Sequence, residues 1–193
     1  MYLIKRLLFG CIVIILCWSC GPQVHNVTVQ NPTDKSITFK VGDAEPIIVG
    51  PSQIKQVKVN FGKQLMQVEG GDEEEINLKP GKKYLLNPTK SSYIYEEVVF
   101  TDSRSAAFAR HMGGTRIKMD TISIMGLPIP GHYKQVNDYV IKDFDYGPRD
   151  RIPKQIKISS NQAVKVRVRT EEAFVQEIMG ILKEMDLKEA VEE

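Results

Sequence analysis

The sequence predicts a mainly β chain: an antiparallel β-sandwich, further strands after it, and one amphipathic helix at the C-terminus. Two observations carry this. From His25 to about residue 100, short runs of alternating apolar and polar residues are broken by turn signals roughly every 8 to 12 residues, the rhythm of an antiparallel sandwich. From Thr170 onward the apolar spacing changes to that of a helix.

Val27 and Val29 alternate with polar neighbours, Asn31-Pro32-Thr33-Asp34 forms a turn, and Ile37, Phe39 and Val41 alternate with Ser36, Thr38 and Lys40. Each run therefore has one face to bury. Gly42-Asp43 ends the second run, Ile47-Ile48-Val49 precedes Gly50-Pro51, and Val57, Val59 and Phe61 alternate with Lys58 and Asn60. Met66 and Val68 continue as another strand, and Gly70-Gly71-Asp72 before three glutamates makes an exposed turn. Ile76 and Leu78 then lead into Lys79-Pro80-Gly81-Lys82, with Tyr84 and Leu86 beyond. Proline presets the first φ of a type II turn and glycine takes the positive one. Residues 24–100 are thus expected to form an immunoglobulin-like or transthyretin-like sandwich.

A second β-rich region, 101–169, is either separate from the first or continuous with it. Within it, Ser105 to Arg110 fits a short helix or a loop, and Ile117, Met119, Ile122 and Ile124 predict a strand with a bulge. Leu127-Pro128-Ile129-Pro130-Gly131 predicts a loop, since proline cannot donate to a central ladder. Tyr139 to Ile141, Ile156 with Ile158, and Val164, Val166 and Val168 are further strand candidates. For a helix over 170–191, Thr170 is the N-cap, Glu171 and Glu172 suit the dipole of the first turn, and Phe174, Ile178, Ile181, Leu182 and Met185 form the apolar stripe that covers the sheet. No internal repeat is visible at the sequence level.

The chain begins with Lys5-Arg6 and then an almost unbroken apolar run, Leu7 to Trp18. That is a basic n-region and an h-region, short of the roughly 20 residues a spanning helix needs. The run closes on Cys17-Trp18-Ser19-Cys20-Gly21. A redox pair needs a folded scaffold around it, and an h-region supplies none. The segment instead resembles a bacterial lipoprotein signal, in which a cysteine after the apolar run is acylated and the chain is cut before it. Cys20 supplies the thiol and Ser19 the small residue before it, while Cys17 and Trp18 stand where that family prefers a leucine and a small residue. The box ending at Cys11 leaves almost no apolar run ahead of it. The resemblance implies a signal peptide over 1–19, a lipidated N-terminus over 20–23, and a lipid anchor in the cell envelope, at the outer membrane. Two stretches, "LLNPTKSSYIYEEVVF" (85–100) and "FDYGPRDRIPKQIKI" (144–158), resemble segments of uncharacterised Gram-negative envelope lipoproteins; they imply no activity.

All three cysteines lie in this leader, so the exported part offers no disulfide and no thiol beyond the anchored Cys20. Without Lys5 and Arg6 the 26 basic residues become 24, equal to the 24 acidic ones. A formally neutral chain does not have the charge signature of a nucleic-acid binder. Asp143, Asp145 and Asp150 are the best hard-cation candidates, yet Gly147, Pro148 and Lys154 occupy positions a calcium loop gives to a ligand, the turn glycine and the closing glutamate. No metal or cofactor is expected. His25, His111 and His132 are isolated. Lys165, Arg167 and Arg169 share one face of a strand and are expected on its wet side, where they could meet an anionic glycan or a lipid headgroup; an envelope protein or a glycan is the expected partner of the chain as a whole. Two functions follow: a non-catalytic, membrane-anchored binding or structural module, or an envelope hydrolase using the acids at 143–150.

Overall fold

The computed structural model describes residues 24–101, 116–117, 120–124, 126–157 and 162–192; in the last helix it describes side chains as far as Gly180 and at Lys183. Residues 1–23 with Cys20, the Ser105–Arg110 segment, His111, Met119, Ile158, and the side chains of Ile181, Leu182 and Met185 lie outside this description. The described residues form a mainly β molecule. Its strands are β1 (Val24–Gln30), β2 (Ile37–Val41), β3 (Ile47–Val49), β4 (Ile54–Asn60), β5 (Gly62–Val68), β6 (Glu73–Leu78), β7 (Tyr84–Leu86), β8 (Tyr93–Thr101), β9 (Asp120–Ile124), β10 (Leu127–Gly131), β11 (Tyr133–Val136), β12 (Val140–Lys142) and β13 (Gln162–Thr170). One helix, α1 (Glu171–Glu192), follows β13 directly.

Two four-stranded sheets, ordered β12-β7-β1-β4 and β3-β2-β5-β6, face each other in a sandwich-like arrangement. The period-two runs fill the space between them: Val27 and Val29 from β1, Phe39 and Val41 from β2, Val57 and Val59 from β4, and Met66, Ile76 and Leu78 from β5 and β6. Burying one such side chain is worth about 1.5–3 kcal/mol, and this cluster is the largest source of cohesion. The Pro80-Gly81 turn forms as the sequence requires, with Gly81 at φ +75°. Lys55 guards the long edge strand β4: its Nζ reaches across to the carbonyl of Ile48 on β3 at 2.5 Å. Inward-pointing charge of this kind discourages strand addition at an exposed edge.

Residue 100 lies inside β8. β8 leaves the sandwich to lie between β11 and β13 in a three-stranded sheet, and β12 returns to extend the first sheet beside β7. Leu85 and Ile141 from the first sheet pack with Tyr93 and Val168 from the third, so the two β regions are continuous through a shared core. Leu127 to Gly131 is also not a loop. It is the strand β10, paired with β9 alone in a two-stranded sheet. Both of its prolines are tolerated because β10 has a free edge on which no N–H is needed.

One β unit recurs in the fold, β1 to β5 corresponding to β7, β8, β11, β12 and β13. Asn31-Pro32-Thr33 and Asn87-Pro88-Thr89 end β1 and β7, and both asparagines are fully buried. The Asn31 amide donates to the carbonyls of Lys35, Val49 and Gly50, and that of Asn87 to Ser91 and Asp138. Their backbone N–H groups bond Gln53 and Tyr139, one residue before the strands that flank β1 and β7. Past each turn the chain crosses to a facing sheet: β2 pairs with β3 and β5, and β8 pairs with β11 and β13, antiparallel throughout. Registers match position for position, Ile37–Val49, Phe39–Val68 and Val41–Met66 in one copy, Tyr93–Val136, Tyr95–Val168 and Glu97–Val166 in the other. β1 and β7 meet side by side in parallel, with β4 and β12 as outer neighbours. Because successive side chains point to opposite faces, Leu86 faces the first facing sheet while Leu85 faces the second. The two copies thus share a central sheet and pack against its opposite sides. No long identity marks this repeat; Asn-Pro-Thr-x-x-Ser at 31–36 and 87–92 is its textual trace.

α1 is capped as expected, with the Ala173 N–H donating to Thr170 Oγ1 at 3.2 Å. Phe174 is fully buried against Ile94, Ile122 and Ile124, with Ile178 half-buried beside them. Ile178→Asp is expected to destabilise the fold by about 2 kcal/mol through an unpaired, partly buried charge, read as a lowered thermal midpoint; an unchanged midpoint would show that the helix is not packed through this residue.

Candidate functional site

β12 ends where Asp143 turns the backbone with φ +62°. Residues 143–150 then form a bracket between the β6–β7 turn and the outer edge of β13. The N–H groups of Asp145 and Tyr146 donate to the Val166 carbonyl at 2.8 and 3.0 Å, and the Val168 N–H donates to Tyr146 O at 2.8 Å. This short parallel contact occupies the edge of β13 that corresponds to the β6 edge of β5 in the first copy.

Each acid predicted here is committed to the bracket. Asp145 accepts from the Val166 N–H at 2.8 Å and from Lys165 Nζ at 3.2 Å, and pairs with Arg116. Burial alone would raise its carboxyl, but the Val166 N–H, Lys165 and Arg116 together hold it below the ordinary aspartate range. Asp143 lies 3.3 Å from Lys82. Asp150 closes its own turn by accepting from the Gly147 N–H at 2.8 Å, with Lys83 at 3.7 Å. Among the described residues no group of three or more His, Cys, Asp or Glu side chains could hold a metal ion.

Because the folded-state value of Asp145 is depressed, its contribution is fully present above the unfolded value of about 3.9 and is lost as pH falls through the folded one. Asp145→Asn is therefore expected to lower stability at neutral pH and to flatten the fall in thermal midpoint below about pH 4. Melts across that range check this, and an unchanged acid slope would remove Asp145 from the bracket.

The bracket and the outer face of β1 and β4 enclose a groove of about 420 Å³. Asn26, Thr28 and Gln56 give it polar groups, Lys82, Lys83 and Arg149 basic ones, and Phe144 an aromatic one. Gln56 Nε2 donates to Thr28 Oγ1 at 2.8 Å, which fixes both side chains across the strands. His25 joins the groove lining, stacked on Phe61 at 5.2 Å between ring centroids, and contacts the Lys82 carbonyl. A polar sheet face edged by aromatic and basic groups can hold a polar ligand by hydrogen bonds and stacking.

The basic stripe is not on the wet side of its strand. α1 lies over it: Arg167 donates through Nε to Glu96 Oε2 at 2.8 Å and also pairs with Glu177, while Arg169 bonds both glutamates. The Arg169 guanidinium sits 4.6 Å from the Phe174 ring centroid, and the residue is 4% exposed. Lys165 is the most open of the three, paired with Asp145. The period-two pattern separated the two faces of β13 correctly. It could not reveal that a helix would bring Glu177 down onto the charged one. Glu96, Glu177 and Arg116 were missed for the same reason, since their partners are distant in sequence and meet only through strand pairing and helix docking.

No helix among the described residues is long and apolar enough to cross a membrane. Comparison with protein-family models, with curated proteins and with solved structures finds no match to this chain.

Proposed function

We propose that this is an envelope lipoprotein, anchored at the outer membrane through acylated Cys20, whose β module is a non-catalytic binding or structural unit with an envelope protein or glycan as partner. The observation that carries the non-catalytic reading is the commitment of Asp143, Asp145 and Asp150 to Lys82, Lys165, Arg116 and a turn N–H. A glycosidase needs two carboxyl groups free to flank one bond, one of them kept protonated; of the three candidate acids the best buried, Asp145, is held ionised. The groove supports binding, offering fixed amide and hydroxyl groups without a nucleophile–base pair. The anchor rests on the leader, since two or more acyl chains at about 0.8 kcal/mol per buried methylene hold a protein stably on its membrane.

The sandwich is immunoglobulin-like in this reading. β1 and β4 are neighbours in one sheet and β2, β5 and β6 run in order in the other, as strands B, E, C, F and G do in that fold, with β3 beside β2 in the place of C′; β7 departs from the pattern, lying beside β1 but parallel to it.

Cys20→Ser is expected to leave the thermal midpoint unchanged and to release the protein from the membrane fraction. Retention of the variant on membranes would overturn the anchor. Turnover of a glycan or peptide by the purified chain, lost in Asp145→Asn at a pH where that variant is folded, would overturn the non-catalytic reading.

A further inference from the structure

The groove under the bracket has two walls of different chemistry. One is the outer face of β1 and β4, where Asn26 and Thr28 stand two residues apart and Gln56 is the direct cross-strand partner of Thr28. These three side chains supply two amides and a hydroxyl, each able both to donate and to accept. The 2.8 Å bond from Gln56 Nε2 to Thr28 Oγ1 uses one amide hydrogen and one hydroxyl lone pair, and leaves the Gln56 side-chain oxygen and the Thr28 hydroxyl hydrogen for a ligand.

The other wall comes from the β6–β7 turn and the bracket, which Lys83 ties together by donating to the Asp145 carbonyl at 2.7 Å. It carries Lys82, Lys83 and Arg149 against one acid, Asp150, whose carboxylate already accepts from the Gly147 N–H. Arg149 is exposed and enters none of the ion pairs among the described residues. Lys82 and Lys83 pair with Asp143 and Asp150 through side chains roughly half or more exposed. Ion pairs in that setting contribute little, so a ligand anion draws on both lysines at small cost. Lys58, the cross-strand partner of Asn26, adds a further cation on the sheet face. Phe144 and Pro148 give the groove apolar surface.

The geometry points to a binding site for an acidic saccharide: its hydroxyls bond Asn26, Thr28 and Gln56, the C–H face of a sugar ring rests on Phe144 and Pro148, and its carboxylate or phosphate meets Arg149 with Lys82 and Lys83. This names the ligand class of the groove and rests on the reading of the chain as a binding module. A sugar hydroxyl donates and accepts as the sheet-face side chains do, and an arginine fork matches a carboxylate or a phosphate. A neutral sugar leaves the cations unused, and a bare inorganic anion leaves the sheet face unused. Only a ligand that carries both kinds of group engages both walls.

Isothermal titration of the full detergent-extracted chain tests this, with tetragalacturonate and glucose 6-phosphate as acidic probes and maltotetraose and inorganic phosphate as controls. At least one acidic sugar is expected to bind saturably, about tenfold or more tighter than either control, the worth of a charge-assisted hydrogen bond. Arg149→Ala is expected to weaken that sugar by a similar factor, whereas Lys183→Ala, which removes an equal charge from an exposed position on α1, leaves it unchanged. Thr28→Val, nearly the same shape on a solvent-facing wall, is expected to weaken it as well and decides the matter if Arg149→Ala fails to fold. No binding of either acidic sugar, equal binding of a control, or undiminished binding in a folded groove variant would overturn the proposal and leave the non-catalytic reading standing. Chromatography of the titrated tetragalacturonate keeps the two apart: release of shorter fragments would overturn the non-catalytic reading, while saturable binding of an intact sugar supports both.

Discussion

Asn87→Asp is expected to be among the most damaging single substitutions in the chain, lowering stability by about 3 kcal/mol or more. The side chain is fully buried, and its amide donates to the carbonyls of Ser91 and Asp138 while its oxygen accepts from the Ser91 N–H and the Thr89 hydroxyl. A carboxylate of the same shape keeps the accepting half and turns the donating half into a charge facing two carbonyl oxygens. Asn31→Asp is expected to cost a similar amount, because Asn31 donates to Lys35, Val49 and Gly50 in the equivalent turn. Denaturant melts of both variants check this. Unequal effects, one large and one near zero, would show that the two turns are not equivalent.

The second large effect is expected at Arg169. Removing its guanidinium by Arg169→Ala takes a cation from between Glu96 and Glu177 and the partner from the face of Phe174. Breaking a buried pair on one side typically costs about 3–5 kcal/mol; because Arg167 still pairs with both glutamates, the loss is expected at the lower end of that range. For a chain of this size that corresponds to a midpoint lower by roughly 10 °C. Arg169→Met, which keeps the stem over Phe174, is expected to recover part of the loss, and Glu177→Gln to cost less than Arg169→Ala because Glu177 is nearly half exposed. Helix undocking is the cause if the C-terminal segment becomes protease-sensitive in Arg169→Ala before the rest of the chain.

The β character, the helix and its cap were legible because they are local. Val27, Val29, Phe39, Val57 and Met66 announce buried faces by alternation, and Thr170 with Glu171 announces a helix start. Tyr133 to Val136 was not legible as a strand: Tyr and Val stand at its ends, and its pairing partner is β8, distant in the chain. Pro128 and Pro130 misled because the proline rule applies to central strands, and whether a strand lies at an edge is a property of the sheet. The duplication stayed hidden for a related reason. Only Asn-Pro-Thr and the serine three residues on repeat in letters; the remaining equivalences, such as Val41 with Glu97, lie in register and in hydrogen bonds that no single-sequence pattern records. The acids at 143–150 were singled out as chemistry and turn out to fasten a loop, because the cations that neutralise them, Lys82, Lys83, Arg116 and Lys165, come from three other places in the chain.

Whether this β module works at a membrane surface depends first on Cys20. Mass spectrometry of the mature N-terminus from detergent-extracted protein tests that most directly: the reading predicts a chain beginning at Cys20 and carrying acyl chains, and a mature chain that begins at any other residue without lipid would contradict it.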